Sequence, residues 1–236
     1  MLQEKVVEAR TLALIRKLSD DLTLKNFALV GGTALALQLG HRKSIDIDLF
    51  TAREFDPRAV ANHLDTAYQA SGTAVTGRAI FTHIDGIKTD LIAHAYPWIR
   101  PIQFYEGIRM ASLDDIAAMK LHAIVNSGTR LKDFVDIHFL LGLQNLDQLT
   151  ASYLAKYPDS NASIAKNALL YHHEIKSKKD LELMDGEFRW PDIAKRLKAA
   201  VAEPKRVFQT KQSASIDLPK HEDRNISQHQ GKGRKR

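Results

Sequence analysis

The 236-residue chain carries 34 Lys and Arg against 28 Asp and Glu, and no cysteine; this fits one domain or a small two-part body and excludes disulfides and thiolate metal sites. The net charge of +6 is a property of the tail: from Lys205 onward there are nine basic and three acidic residues, which leaves 25 of each in residues 1–204 and no bulk signature of a nucleic-acid-binding face on the body. No apolar run reaches the ~18 residues that span a bilayer, and Glu4 and Glu8 interrupt the basic-then-apolar layout of a secretory signal, so a cytoplasmic protein is expected.

Residues 2–23 read as an amphipathic helix, with Val6, Val7, Leu12, Leu14, Ile15 and Leu18 near helical spacing. Phe27–Val30 is a short apolar run ending in Gly31-Gly32, a buried strand followed by a tight turn. Thr33 is placed to cap a short apolar helix, Ala34–Leu39, which Gly40 stops. Ile45–Phe50 alternates apolar and acidic residues, the period of a strand. Pro57 opens a helix to about Ala70. Ala74–His83 and Ile87–Tyr96 flank Asp85-Gly86, a strong hairpin signal. Ser112, with Asp115 three residues on, starts a helix to about Asn126. Arg130–Leu143, Asp147–Lys156, Ala162–Ile175 and Pro191–Val201 complete a mostly helical second half.

This order predicts an α+β protein. Residues 1–110 form a catalytic core with four or five strands in a mixed sheet, and residues 111–204 form a helical part packed on it. Residues 205–236, rich in Gln, Ser, Lys, Gly and His, read as a basic disordered tail.

In Ile45-Asp46-Ile47-Asp48-Leu49-Phe50 the side chains alternate across the strand, so Asp46 and Asp48 share one face while Ile45, Ile47 and Leu49 take the other. The two carboxylates are about 7 Å apart along the backbone at ~3.3 Å per residue. Hard oxygens of this kind suit Mg²⁺ or Mn²⁺. An amphipathic edge strand with two solvated acids explains the alternation as well, although Asp is disfavoured in strands. Gly31-Gly32 between a strand and a helix lets backbone approach a ligand and aims helix amides at an anion. In the next hairpin, Asp90 lies amid apolar residues of Ile87-Lys88-Thr89-Asp90-Leu91-Ile92; metal, a hydrogen-bond network or solvent must stabilise it. It is a candidate metal ligand or general base. Lys120 stands in an otherwise apolar helix and either snorkels to solvent or meets an anion. Lys132 and Asp136 are i,i+4, and Asp133 and Asp136 are i,i+3, a spacing that an exposed ion-pair face also gives.

Taken together, Leu29-Val30-Gly31-Gly32-Thr33-Ala34-Leu35-Ala36-Leu37 and Gly40-His41-Arg42-Lys43-Ser44-Ile45-Asp46-Ile47-Asp48-Leu49-Phe50 resemble the signature of the DNA polymerase β-type nucleotidyltransferases. In its wording the stretch resembles the AbiEii/AbiGii-type toxin family of that superfamily. Lys120 followed by Arg130-x-Lys132-Asp133-x-x-Asp136 is similar to the downstream motifs of the same family. The resemblance covers roughly residues 25–140. It implies a polymerase β-like core and metal-dependent use of an NTP. Gly31, Gly32 and Thr33 would lie at the phosphates, and Asp46, Asp48 and Asp90 on Mg²⁺ or Mn²⁺. Lys120, Lys132, Asp133 and Asp136 would face triphosphate, nucleotide or acceptor. Arg42, just before the strand, is placed to meet a phosphate or to lie on the surface. The implied reaction moves NMP from the NTP to an acceptor such as a tRNA 3′ end, in a toxin–antitoxin setting with a partner encoded nearby. A small-molecule or protein hydroxyl as acceptor, and a non-catalytic nucleotide- or RNA-binding regulator on the same fold, are the alternatives.

Overall fold

The computed structural model describes residues 1–175 and 181–209. Its core is a mixed seven-stranded sheet in the order β3-β4-β5-β2-β1-β7-β6. The strands are β1 (Ala28–Leu29), β2 (Ile47–Thr51), β3 (Ser71–Thr76), β4 (Ala79–Ile84), β5 (Ile87–Ala93), β6 (Gln103–Tyr105) and β7 (Ile108–Met110). The helices are α1 (Ala9–Asp20), α2 (Gly31–Leu39), α3 (Pro57–Tyr68), α4 (Leu113–Asn126), α5 (Leu131–Leu140), α6 (Leu146–Lys156), α7 (Ala162–Ala168) and α8 (Trp190–Ala202). One buried apolar cluster runs from Leu2 through the sheet to Ala200. The sheet half and the helical half therefore share a core.

Local chemistry accounts for most boundaries. Asp85 (φ +51°) and Gly86 (φ +72°) form the turn between β4 and β5, as the Asp-Gly pair requires. Ser112 caps α4 by accepting the Asp115 amide at 3.1 Å. α2 is apolar on every side and buried throughout most of its length. The strand expected from Ala74 to His83 is two strands instead, because Gly77 adopts φ +54° and folds β3 back on β4. The β6–β7 hairpin is an addition to the expected set. Its turn is Glu106-Gly107, with φ +49° and +83°, and glutamate lacks the short side chain that usually announces such a turn. α1 begins at Ala9 and not at residue 2; a short 3-10 turn, Glu4–Val6, precedes it. Residues 205–208 lie against the body rather than in a tail, since the Phe208 amide donates to the Leu141 carbonyl at 2.8 Å. The remainder of the expected tail, from residue 210, lies outside the described residues.

A buried ionic knot joins the two halves. Arg42, just ahead of β2, donates to both oxygens of Asp136 on α5, Nε to Oδ1 at 2.7 Å and Nη2 to Oδ2 at 3.0 Å. His41 Nε2 is 2.9 Å from the same Oδ1. Lys120 of α4 reaches Asp136 Oδ2 at 2.8 Å and Asp133 Oδ1 at 2.7 Å. Arg42 and Asp136 are almost wholly buried, at 1% and 0% exposure. Burial alone would raise the Asp136 pKa, but the charges of Arg42 and Lys120, with hydrogen bonds from His41 and Arg42, hold it well below the carboxylate range. Burial would likewise lower Lys120, yet Asp136 and Asp133 raise it. Burial keeps His41 neutral against the pull of Asp136. Residues 181–184 cover this knot: Leu183 bridges to Arg42, and the Lys43 amide donates to the Glu182 carbonyl at 2.9 Å.

Asp136→Asn leaves two buried cations without their shared counter-charge. It is expected to destabilise the fold by about 3–5 kcal/mol, the usual cost of removing one partner from a buried pair. Urea unfolding of the two proteins at neutral pH measures this directly, and a difference below ~1 kcal/mol would show that the knot does not hold the halves together.

Candidate active site

β2 and β5 run parallel with Asp48 directly opposite Asp90. In β2 the burial alternates, with Ile47, Leu49 and Thr51 buried and Asp48 and Phe50 half-buried. Asp48 and Asp90 therefore share one face of the sheet, while the apolar partners pack into the core. Asp46 sits in the residue before β2, also half-buried. Burial raises the Asp48 carboxyl pKa, and the charges of Asp90 and Asp46 add to this, with Lys120 and Lys88 opposing. The three acids thus feel one another electrostatically. Asp90 is 6% exposed; its Oδ2 accepts from Lys88 Nζ at 2.5 Å, and its Oδ1 is buried with no hydrogen-bond partner. A cavity of about 200 Å³ opens beside Asp46, with Arg10, Thr11, His83 and Lys88 in its wall.

The glycine turn is shaped around these groups. Gly31 opens α2 at φ +70°, and a Cβ there would overlap an Asp48 carboxylate oxygen. A Cβ on Gly32 would overlap Nη2 of Arg42. The two glycines thus let the helix start press onto the acidic strand and onto the knot beneath it. Val30, at the N-cap, supplies no side-chain cap, so the first amides of α2 keep their capacity for an anion. Thr33 is the third residue of α2 rather than its cap. Its hydroxyl is 2.8 Å from Ser44 Oγ and also donates to the Asp46 carbonyl. It fixes the loop that delivers Asp46.

The structure separates the remaining expected residues into three groups. Lys120, Asp133 and Asp136 are buried together, and Lys120 is near enough to act on the charge of Asp48. Arg42 lies neither on the surface nor open to a phosphate, because its guanidinium is spent on Asp136 and on the Lys43 carbonyl at 3.0 Å. Lys132 is exposed while Asp136 faces the core, so the alternative of an exposed i,i+4 ion-pair face does not hold; Asp133 and Asp136 meet Lys120 instead. The sequence reading gave no role to His41, Ser44 or Lys88. For Lys88 a signal existed: two residues before Asp90 on a strand, it must project from the same face.

The acids suit a divalent cation in kind. Asp48 and Asp90 are hard oxygen donors on one face, burial raises the Asp48 carboxyl against the pull of Lys120 and Lys88, and Asp90 Oδ1 is a buried acceptor with no donor. Among the described residues no three His, Asp or Glu side chains form a closed ligand set.

Comparison with known proteins gives the family. The model of the nucleotidyl transferase AbiEii toxin, type IV toxin–antitoxin system, matches residues 12–214. The Aquifex aeolicus (strain VF5) protein aq_aa25 is 30% identical over 184 residues, covering 75% of this chain and 87% of that one. A proposed nucleotidyltransferase from H. pylori shares the fold with a TM-score of 0.56 at 18% identity, covering 90% of this chain and 100% of its own. JHP933 from Helicobacter pylori does so with a TM-score of 0.55 at 19% identity, covering 84% and 93%. The chain belongs to the AbiEii nucleotidyltransferase toxin family and is a nucleotidyltransferase built on a polymerase β-like core.

Proposed function

We propose that the protein transfers NMP from an NTP to an acceptor hydroxyl with the help of Mg²⁺ or Mn²⁺, that the acceptor is an RNA 3′ end such as that of tRNA, and that the activity serves as the toxin of a toxin–antitoxin pair. The observation that carries the catalytic part is the parallel pairing of Asp48 with Asp90 beside Asp46, against a glycine turn where any Cβ on Gly31 would run into the Asp48 carboxylate. Asp46 and Asp48 would hold the cation together with phosphate oxygens. When bound, the cation supplies charge neutralisation and Lewis-acid polarisation at the reacting phosphate. The chain's own groups do the rest. The uncapped amides of α2 receive the outer phosphates. Asp90 keeps Oδ2 on Lys88 and has Oδ1 left to accept the proton of the attacking hydroxyl. Lys120, anchored on Asp133 and Asp136, adds positive potential without moving. Attack on the α-phosphate forms the new phosphodiester and releases pyrophosphate. The excess of Lys and Arg after Lys205 supports an RNA acceptor, because it attracts phosphate without demanding a sequence. The type IV toxin–antitoxin family supports a partner antitoxin.

Incubation with labelled NTPs, total RNA and Mg²⁺ is expected to label an RNA band. EDTA abolishes the labelling, and Mg²⁺ or Mn²⁺ restores it. Asp46→Ala and Asp48→Ala are expected to lose at least ~10²–10³-fold in rate, the range of a lost electrostatic group at the transition state. Labelling that is unchanged in both variants would sink the assignment of the acids. Labelled protein or small molecules in place of RNA would move the reading to another acceptor.

Asp48→Asn has a second expected effect. A carboxyl whose pKa is raised on folding destabilises the native state once pH climbs past the ordinary carboxylate range, 3.8 for Asp. The amide lacks that cost. In metal-free buffer at pH 7 the variant should therefore melt higher than the wild type, at ~2–4 °C per kcal/mol for a chain of this size. The gain should vanish as the pH falls to about 4 and below. Melting curves across that range check it, and a wild type more stable than the variant at pH 7 would contradict the raised Asp48 carboxyl that burial and the neighbouring acids produce.

A further inference from the structure

Beyond the three acids, the acidic face of the sheet continues into a group of rings that the chemistry above does not use. Phe50 is two residues past Asp48 on β2 and shares its face. Its ring lies 5.5 Å from that of His94, which in turn is 5.0 Å from Tyr96. Tyr96 packs edge-on to Tyr157 at 4.6 Å and 71°, and His122 stacks on Tyr157 at 4.0 Å and 10°. Tyr157 is buried at 2% exposure, Phe50, His94 and His122 are half-buried, and Tyr96 is 37% exposed. The cluster thus has a fixed floor and one outward ring.

The strap that carries Tyr96 is held with unusual firmness for a loop. The His94 amide donates to the Thr51 carbonyl at 2.8 Å. Asp115 accepts the amides of Ile99 at 3.0 Å and Arg100 at 3.2 Å. Lys156, 0% exposed, donates to Asp115 at 2.9 Å and to the Pro97 carbonyl at 3.1 Å, and its ammonium lies 4.7 Å above the Trp98 ring. A fully buried Lys–Asp pair carries a large desolvation cost. Here it fixes a surface-reaching aromatic residue. His94 donates to or accepts from the Tyr157 hydroxyl at 3.0 Å, and burial with the nearby Lys156 charge pushes its pKa down to about 4. The platform therefore carries no charge of its own at neutral pH.

We propose that the Phe50–His94–Tyr96 surface is a nucleobase platform, on which a base of the bound NTP or of the acceptor's terminal nucleotide stacks against Tyr96. It begins two strand residues, ~6.6 Å of backbone, beyond Asp48, on the side away from the glycine turn and its phosphates. Every base has a π-face, so such a surface takes purines and pyrimidines alike. Lys156 and Asp115 are positioning residues for it. The inference rests on the nucleotidyl-transfer reading of the acids.

The test compares wild type with Tyr96→Leu, which keeps apolar bulk, and Tyr96→Phe, which keeps the ring. Equilibrium binding of each of the four NTPs, and of base-free tripolyphosphate, is measured with Mg²⁺, alongside KM and kcat with total tRNA as acceptor. Tyr96→Leu is expected to weaken NTP binding roughly 5- to 150-fold, the loss of one base–aromatic stack. Tyr96→Phe should bind as the wild type does, and tripolyphosphate should bind all three proteins equally. If only the KM for tRNA rises, with Phe again restoring it, the base belongs to the acceptor. If wild type turns over NTP and neither constant moves, or if tripolyphosphate weakens in parallel, the platform is refuted and the transfer reading survives. A wild type that neither binds nor turns over NTP overturns the transfer reading and this proposal with it.

Discussion

Much of the architecture turns on one carboxylate. Asp136 receives a cation from the loop before the acidic strand and another from α4, and a neutral histidine completes its shell. Residues 42, 120 and 136 are far apart in the chain, yet buried charges cannot drift apart without exposing each other to a low-dielectric interior. Asp133 supplies the second negative charge, so Arg42 and Lys120 face two acids and the knot is balanced. Because Arg42 is held there, Gly32 must lack a side chain. The glycine turn, the Asp46 loop and the helical half are consequently aligned by the same contact. A hydrophobic interface of equal area would bind the halves as well but would not fix their relative angle, since apolar burial has no direction.

The acidic face is the counterpart of that satisfied knot. Burial and two neighbouring acids make ionised Asp48 uncomfortable, while Lys88 and Lys120 relieve it only in part. Asp90 keeps an oxygen without a donor in a protein where most buried polar atoms have one. Asp136 and Asp115 have both carboxylate oxygens paired, whereas Asp90, on the face where the Gly31 turn approaches, keeps one unpaired. Local dissatisfaction of this kind is expected where a ligand completes the site.

Short-range chemistry made much of this legible beforehand. The Asp85-Gly86 turn, the Ser112 cap and the alternation in β2 depend only on neighbours within a few residues, and each appears as expected. The same reading stumbled where a residue's role is decided from afar. Arg42 was set at a phosphate or on the surface, and it is buried because residues 181–184, carrying no recognisable motif, lie across it. Lys132 and Asp136 share a helical spacing, but burial of α5 turns Asp136 inward to partners 94 and 16 residues away. Thr33 has the chemistry of a cap, yet α2 starts two residues earlier because Gly31 can take φ +70° against Asp48. The Glu106-Gly107 hairpin failed for a local reason, an atypical first turn residue. Placing Asp48 on the polar face of its strand needs only the strand period, whereas the register that sets Asp90 opposite it, and the Lys156–Asp115 pair across 41 residues, are decided by the packed fold.

The two buried ionic contacts stand at opposite ends of the same strand pair. Arg42 lies just before β2 begins, whereas the strap held by Lys156 and Asp115 follows directly after β5 ends. β2 and β5 are parallel, so these are the two ends of the surface that bears Asp48 and Asp90. Between them the ladder runs from Ile47 opposite Thr89 to Thr51 opposite Ala93, and its apolar side is packed. A surface clamped in this way presents its carboxylates at one end and its rings at the other with little freedom to shift. Such rigidity matters for a reaction in which phosphate, hydroxyl and base must be held in register, because pre-paid orientation lowers the barrier without any further contact. The ion pairs are costly if judged only as sources of stability. As devices that fix the Asp48–Asp90 face at both ends, they fit the transfer proposed for it.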